Sequence, residues 1–252
     1  MQVATIVALH VAVALVGVAA AVVFVWAAGR RQGRRARLAW LLLSGWAGCY
    51  ALAEGMAALW RSGAASASTA WSAAAAALAP TAFAVSLAFV AAASWWLLRI
   101  TYLRGALVRA ALESWITAGS IAAVLWGLVV YPLAGEAAHS GVLALVLIAG
   151  VLDLTLLAAS ISVAATRVDE ARGRAVLAAV AVAGLVLRDV GYAGALLGSD
   201  AWQLLAALGA TTAFALLALA AQIEIEVVPL PTNARRLWLG RIVTPFLVAV
   251  IA

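Results

Sequence analysis

Long apolar stretches follow one another along the whole chain, and short polar segments separate them. A membrane-crossing helix needs about 20 consecutive apolar residues, and only helices or closed barrels satisfy every backbone group within lipid. By this measure the pattern predicts seven complete spans, with approximate limits at 3–28, 38–60, 78–98, 111–133, 142–166, 175–197 and 204–221. An eighth begins near residue 242 and reaches only residue 252, which is too short to cross. The predicted fold is all-α: a polytopic transmembrane helix bundle of seven complete spans and a truncated eighth.

The composition is that of a chain dissolved in lipid. The 252 residues are 67% hydrophobic and only 10% charged, with a mean hydropathy of +1.13, whereas ordinary soluble domains carry roughly 25% charged residues. The sequence pI of about 10.7 is high enough for a nucleic-acid-binding protein. The arginines, however, lie in short runs between apolar spans and not along one amphipathic face. We therefore expect the lipid bilayer as a partner, and no nucleic acid.

The arginines also predict the orientation, because short cytoplasmic loops hold an excess of basic residues. All but two of the 16 basic residues follow spans one, three, five and seven; the exceptions are Arg61 and Arg188. This pattern places the N-terminus outside and the arginine-rich loops inside. We expect a multi-pass protein of the plasma (inner) membrane, with a membrane domain at 1–221, a cytoplasmic connector at 222–241 and the start of the incomplete eighth span at 242–252.

No catalytic or cofactor motif stands out in the sequence. There is no HExxH, CxxC, GxSxG, Walker loop or GxGxxG pattern, and no lysine that could form a retinal Schiff base. The two histidines, His10 and His139, lie in different contexts with no cysteine beside them, so no metal site is predicted. We therefore expect no catalytic residue, no metal and no cofactor in this chain.

The remaining candidates are ionisable residues inside the predicted spans, because a charge within the bilayer is costly and commonly functional. Glu54, Asp153, Arg188, Asp189 and His10 all lie at or outside the predicted midplane. Asp153 and Arg188 fall on consecutive antiparallel spans, at depths that differ by about 3 Å for a rise of 1.5 Å per residue. We expect these two side chains to form an intramembrane ion pair.

The other candidates are assigned to a ligand site. Asp189 follows Arg188 by one residue, and successive helical residues point about 100° apart, so we expect Asp189 to face away from span five. Tyr192, three residues further on, is expected to donate its hydroxyl to Asp189 within an outward-opening cavity. The candidate ligand-binding residues are Glu54, Asp189, Tyr192 and His10. Three interpretations stay open: structural pairing, a pocket for a small ligand from the outer side, and a proton or ion path.

Four segments resemble, in order, the membrane regions that precede GGDEF and EAL domains in actinobacterial cyclic-di-GMP signalling proteins. They are RLAWLLLSGWAGCYALAEG (37–55), ALESWITAGSIAAVLWGLVV (111–130), GVLDLTLLAA (150–159) and LRDVGYAGAL (187–196). Glu54 stands in the acidic place of the first, and Asp189 and Tyr192 match an Asp-x-x-Tyr-Ala step in the last. The chain departs from the family in lacking the Pro-Ser-x-x-Asp step before span three, and Ala149-Gly150 replaces Tyr-Pro.

This resemblance implies a membrane-embedded sensory or input module of a signalling protein. Its cytoplasmic output domain, expected to turn over cyclic di-GMP, is not within these residues, and we expect the chain to be a fragment of a longer protein. No enzyme is expected within the chain itself. The alternatives are a subunit that transports a small solute or an ion, and a structural membrane subunit. A homodimer is compatible with each of them.

Overall fold

The computed structural model describes residues 3–30, 34–62, 69–101, 141–166, 171–196 and 201–222. Within these ranges there are six α-helices and no strand. The helices are α1 (Val3–Arg30), α2 (Arg34–Arg61), α3 (Thr69–Thr101), α4 (Gly141–Thr166), α5 (Ala171–Leu196) and α6 (Ala201–Gln222). They coincide with six of the predicted spans. The predicted span at 111–133, the connector after residue 222 and the start of an eighth span lie outside the described residues.

Four stretches are long and apolar enough to cross a membrane: Val3–Arg30, Ala74–Ala93, Val176–Ala195 and Ala201–Gln222. Helix α2 is not among them, because Gly, Ser and Trp side chains and Glu54 lower its hydropathy. Within α4, the apolar stretch among the described side chains is the shorter Ile148–Leu157. The described helices are thus compatible with a membrane protein, but they do not support the predicted count of seven complete spans and a truncated eighth.

The exposed side of α1 has the character of a lipid-facing surface. Apolar side chains recur at helical spacing on this side and are 43–66% exposed: Val11, Leu15, Val18, Val22 and Val25. The opposite side is buried against the other helices and includes His10, Gly17 and Phe24. A continuous exposed apolar face of this length is unusual for a water-soluble chain. In a bilayer, lipid would cover it.

Four pairs of helices that are neighbours in the sequence pack antiparallel to each other. Against α1, the order along α2 is reversed: Gly17 lies beside Ala51, while Ser44 donates a hydrogen bond of 2.9 Å to the carbonyl of Ala21. Helices α2 and α3, α4 and α5, and α5 and α6 are related in the same way. Helices α1 and α6 instead run parallel. This follows from one cavity whose lining includes Leu9 and Gln203, which lie near the N-terminal ends of the two helices. The start of α1, the end of α2, the end of α5 and the start of α6 therefore lie at the same end of the bundle.

Aromatic side chains fill the centre of the bundle between α2, α3 and α6. The ring centroid of Phe214 lies 4.9 Å from that of Trp46 and 5.3 Å from that of Tyr50. The Tyr50 ring also lies 6.1 Å from that of Phe83. Tilted aromatic pairs at these distances are favourable beyond their buried area. This cluster fixes the position of Tyr50, whose hydroxyl reaches the polar site described below.

Pro80 does not interrupt its helix. Helix α3 is continuous from Thr69 to Thr101, with Pro80 in its interior. A proline inside a helix cannot donate to the carbonyl one turn earlier, but hydroxyl side chains and neighbouring helices compensate in apolar surroundings. Next to it, Thr81 donates its hydroxyl to the carbonyl of Ala77 at 2.7 Å.

Glycines bring α5 and α6 into backbone contact. A Cβ atom built on Gly184 would lie 2.9 Å from the carbonyl oxygen of Gly209, and one built on Gly191 would lie 2.5 Å from the backbone nitrogen of Ala206. Backbone atoms cannot yield as a flexible side-chain end can. The two helices can therefore lie this close only because these positions carry no side chain.

We predict that Gly191→Ala destabilises the bundle by about 1–3 kcal/mol, because the new methyl group overlaps the backbone of Ala206. Gly173→Ala is the matched control on the same helix, since a Cβ there meets nothing within 4 Å. Thermal unfolding in detergent can be followed by labelling of Cys49, the single cysteine of the chain. Equal midpoints for the two variants would contradict the close approach of α5 and α6.

Candidate functional site: a buried polar network

Five side chains of the His, Asp, Glu and Arg types are buried within the described helices and lie on four of them. They are His10 on α1, Glu54 on α2, Asp153 on α4, and Arg188 and Asp189 on α5, and none is more than 6% exposed. In an apolar bundle an ionised group is stable only when other groups pair with it and hydrogen-bond to it. The partners of each residue therefore determine what this cluster can do.

Arg188 holds the first half of the network. Its Nη2 atom donates to Asp153 Oδ2 at 2.8 Å and to Asp189 Oδ1 at 2.6 Å, and its Nε atom donates to the same Asp189 oxygen at 2.9 Å. The guanidinium thus joins α4 to α5. The approach of Asp153 and Arg188 expected from their similar depth is present in the structure.

The expected direction of Asp189 is wrong. Asp189 lies with Arg188 beside α4, where a Cβ built on Gly150 would be 3.8 Å from Asp189 Oδ2. Although the two Cα–Cβ bonds diverge by about 100°, the arginine side chain is long enough to fold back onto its neighbour. The hydrogen bond expected between Tyr192 and Asp189 is also wrong, because Tyr192 donates to Glu54.

The second half of the network centres on Glu54. His10 Nδ1 lies 2.6 Å from Glu54 Oε2, and the Tyr192 hydroxyl donates to Glu54 Oε1. The hydroxyl oxygens of Tyr192 and Tyr50 are 3.2 Å apart. Each oxygen of the Glu54 carboxyl therefore has its own partner, and α1, α2 and α5 are tied together at one point.

Tyr50 connects the two halves. Its ring centroid lies 5.1 Å from Arg188 Cζ, within the range of a cation–π contact, while its hydroxyl meets that of Tyr192. Tyr50 is not among the site residues predicted from the sequence. A usable signal existed, because Tyr50 precedes Glu54 by four residues and the two therefore share a face of α2.

A small cavity adjoins the second half of the network. Its polar lining comes from His10, Glu54, Tyr192 and Gln203, and the remaining wall is apolar: Leu9, Val13, Ala206 and Ala207. The space is on the scale of one water molecule, far below the roughly 300–1,000 Å³ of ordinary small-molecule pockets. A water-sized species or a proton fits this space.

Two buried polar atoms have no hydrogen-bond partner among the described residues: His10 Nε2 and Asp189 Oδ2. Such atoms are rare in folded proteins because each forfeits its interaction with water. Both belong to the network, one in each half. Nowhere in the described part of the chain do three or more His, Cys, Asp or Glu side chains come together as metal ligands would.

Comparison with protein-family models, with curated proteins and with solved structures finds no match to this chain. The network itself therefore carries the evidence on function. All four candidate ligand-binding residues and both members of the expected ion pair lie in it. Tyr50 and Gln203 are the additions that the structure supplies.

We predict that Arg188→Ala destabilises the bundle by about 3–5 kcal/mol, because two buried carboxyls then lose their cation. Asp153→Asn should cost less, since Asp189 keeps both of its bonds to Arg188. The control is Thr155→Val on α4, because that buried hydroxyl bonds only its own helix, at Val151. Thermal unfolding followed at Cys49 measures all three, and an Arg188→Ala variant as stable as the control would contradict the pairing.

Proposed function

We propose that this chain is the membrane-embedded sensory or input module of a signalling protein, with its N-terminus outside and its arginine-rich loops in the cytoplasm. The observation that carries the proposal is the buried network, which links α1, α2, α4 and α5 through hydrogen bonds and ion pairs. A change at any one of these groups alters the contacts of several helices at once. An input module needs this coupling, because its signal has to move helices that cross the membrane.

The position of the network supports an external signal. His10 lies about seven residues after the start of α1, and Glu54 about seven residues before the end of α2. At 1.5 Å per residue, both are about 11 Å from the same end of the bundle. Arg30 and Arg34 mark the opposite end, which the arginine pattern assigns to the cytoplasm. The network thus lies towards the outer side in the proposed orientation.

The full span count is part of the same proposal. Helices α3 and α4 begin at the same end of the bundle, since α3 is antiparallel to α2 and α4 is antiparallel to α5. A crossing at 111–133, as the sequence predicts, would lead the chain back between them. We propose seven spans in all, with an eighth beginning at 242 and a cyclic-di-GMP output domain beyond it, as the family resemblance implies.

Ion or proton transport is the second candidate, and one observation favours it. From the cavity, hydrogen-bonding groups follow one another through His10, Glu54, Tyr192 and Tyr50. Tight apolar packing beneath them opposes a continuous path, because Trp46 and Phe214 are almost fully buried against each other. Uptake of protons or ions into sealed vesicles that contain the chain would favour transport over sensing.

The sensing proposal predicts that a change in the network moves the cytoplasmic ends of the helices. Spin labels at Gly29→Cys and Gly173→Cys, in a Cys49→Ala background, report the distance between the inner ends of α1 and α5. Both glycines are exposed and have open space around them. Glu54→Gln should shift this distance by about 1–2 Å or more, the size of signalling helix movements.

Thr155→Val provides the matched control, because this buried hydroxyl lies outside the network, and its distance distribution should equal that of the parent. If Glu54→Gln also leaves the distribution unchanged, the network holds the bundle together without transmitting a signal. The sensing proposal would then be wrong.

A further inference from the structure

We infer that the His10–Glu54 pair binds one exchangeable proton from the outer side, with His10 Nε2 as the accepting atom. This inference rests on the proposed sensing function and names its signal as the external proton concentration. The geometry of the pair, the charges around it and the size of the cavity each point to this ligand.

The buried charges of the described helices do not balance, so the network can take up a proton. The buried carboxyls are Glu54, Asp153 and Asp189, while Arg188 is the only buried arginine among the described side chains. With the carboxyls ionised and His10 neutral, two negative charges would be uncompensated inside an apolar bundle. Such an excess is costly in low dielectric, and uptake of a proton reduces it.

The geometry selects His10 over Glu54 as the acceptor. Glu54 has a partner at each oxygen, since His10 Nδ1 lies 2.6 Å from one oxygen and the Tyr192 hydroxyl donates to the other. When the imidazole carries its proton on Nδ1, both bonds favour the ionised carboxylate. With its proton on Nδ1, the neutral imidazole presents the lone pair of Nε2, a buried atom that has no partner among the described residues. Protonation there converts the pair into an imidazolium–carboxylate ion pair.

The surroundings of the pair are consistent with this step. Tyr50 of α2 and Tyr192 of α5 lie next to the pair. Arg188 and Asp189 lie about one helical turn before Tyr192 on α5. Asp153 of α4 is bonded to Arg188. From α6, the uncharged Gln203 lines the same cavity as His10. A hydronium ion entering the cavity gives its proton to Nε2: one O–H bond breaks, one N–H bond forms, and water remains. The cavity is large enough for that water and too small for an ordinary organic ligand.

The two histidines of the chain make the proton directly observable. In a His139→Gln variant labelled with ¹⁵N-histidine and reconstituted in liposomes, only His10 gives imidazole signals. We expect a neutral ring with its proton on Nδ1 at high pH and an imidazolium at low pH. In Glu54→Gln the imidazolium loses its counter-ion, so the imidazolium signal at the same low pH should be weakened or lost.

A His10 ring that stays neutral at low pH, in a chain whose Cys49 labelling shows it folded, would overturn the inference. So would a titration that Glu54→Gln leaves unchanged. A carboxylic-acid C=O band that appears on acidification while His10 stays neutral would place the proton on a carboxyl such as Asp189 and overturn it as well. If His139→Gln fails to fold, the wild-type chain gives two imidazole signals, and the one missing from His10→Gln is assigned to His10.

The outcome also separates this inference from the function on which it rests. If His10 titrates but the inner-end distance between α1 and α5 never changes, proton binding stands and sensing fails. If Glu54→Gln shifts that distance but His10 does not titrate, sensing stands and the proton is not its signal.

Discussion

The described structure depends on the burial of one guanidinium group. Arg188 is 1% exposed, and removing its charge from water is tolerable only because two carboxylates bind it at 2.6–2.9 Å. These bonds fix α4 against α5 and set the position of Asp189. The Tyr50 ring beside the guanidinium extends the constraint to α2, and Glu54 and His10 extend it to α1.

Close packing of small residues makes this arrangement possible. A Cβ built on Gly209 would lie 2.7 Å from the backbone nitrogen of Arg188, so α6 touches α5 at the residue that carries the buried charge. That contact brings the start of α6 next to α1, where Gln203 completes the wall of the cavity beside His10. The aromatic cluster around Phe214 lies below. The close contact at Gly209 and the ion pairs of Arg188 thus depend on each other, because both lie in one layer of the bundle.

The contacts that could be predicted from the sequence are those that depend on depth along neighbouring helices. Asp153 and Arg188 lie at matching heights, and their pairing followed from that; the same reasoning would have paired His10 with Glu54. Contacts between helices distant in sequence, such as Tyr192 with Glu54, depend on packing order, which no local pattern encodes. The direction of Asp189 was missed because helical angles describe Cβ positions and not the reach of an arginine. The family resemblance and the output domain remain predictions.

A solid-state NMR measurement of ¹⁵N–¹³C dipolar couplings tests the shared ion pair most directly, with the chain in liposomes and labelled at arginine side-chain nitrogens and aspartate carboxyl carbons. The signals of Arg188 are those that disappear in Arg188→Ala. We expect its guanidinium to couple to two carboxyl carbons, those of Asp153 and Asp189, at hydrogen-bonding distance. An Arg188 guanidinium coupled to neither carboxyl, or to only one, would contradict the shared ion pair on which the network depends.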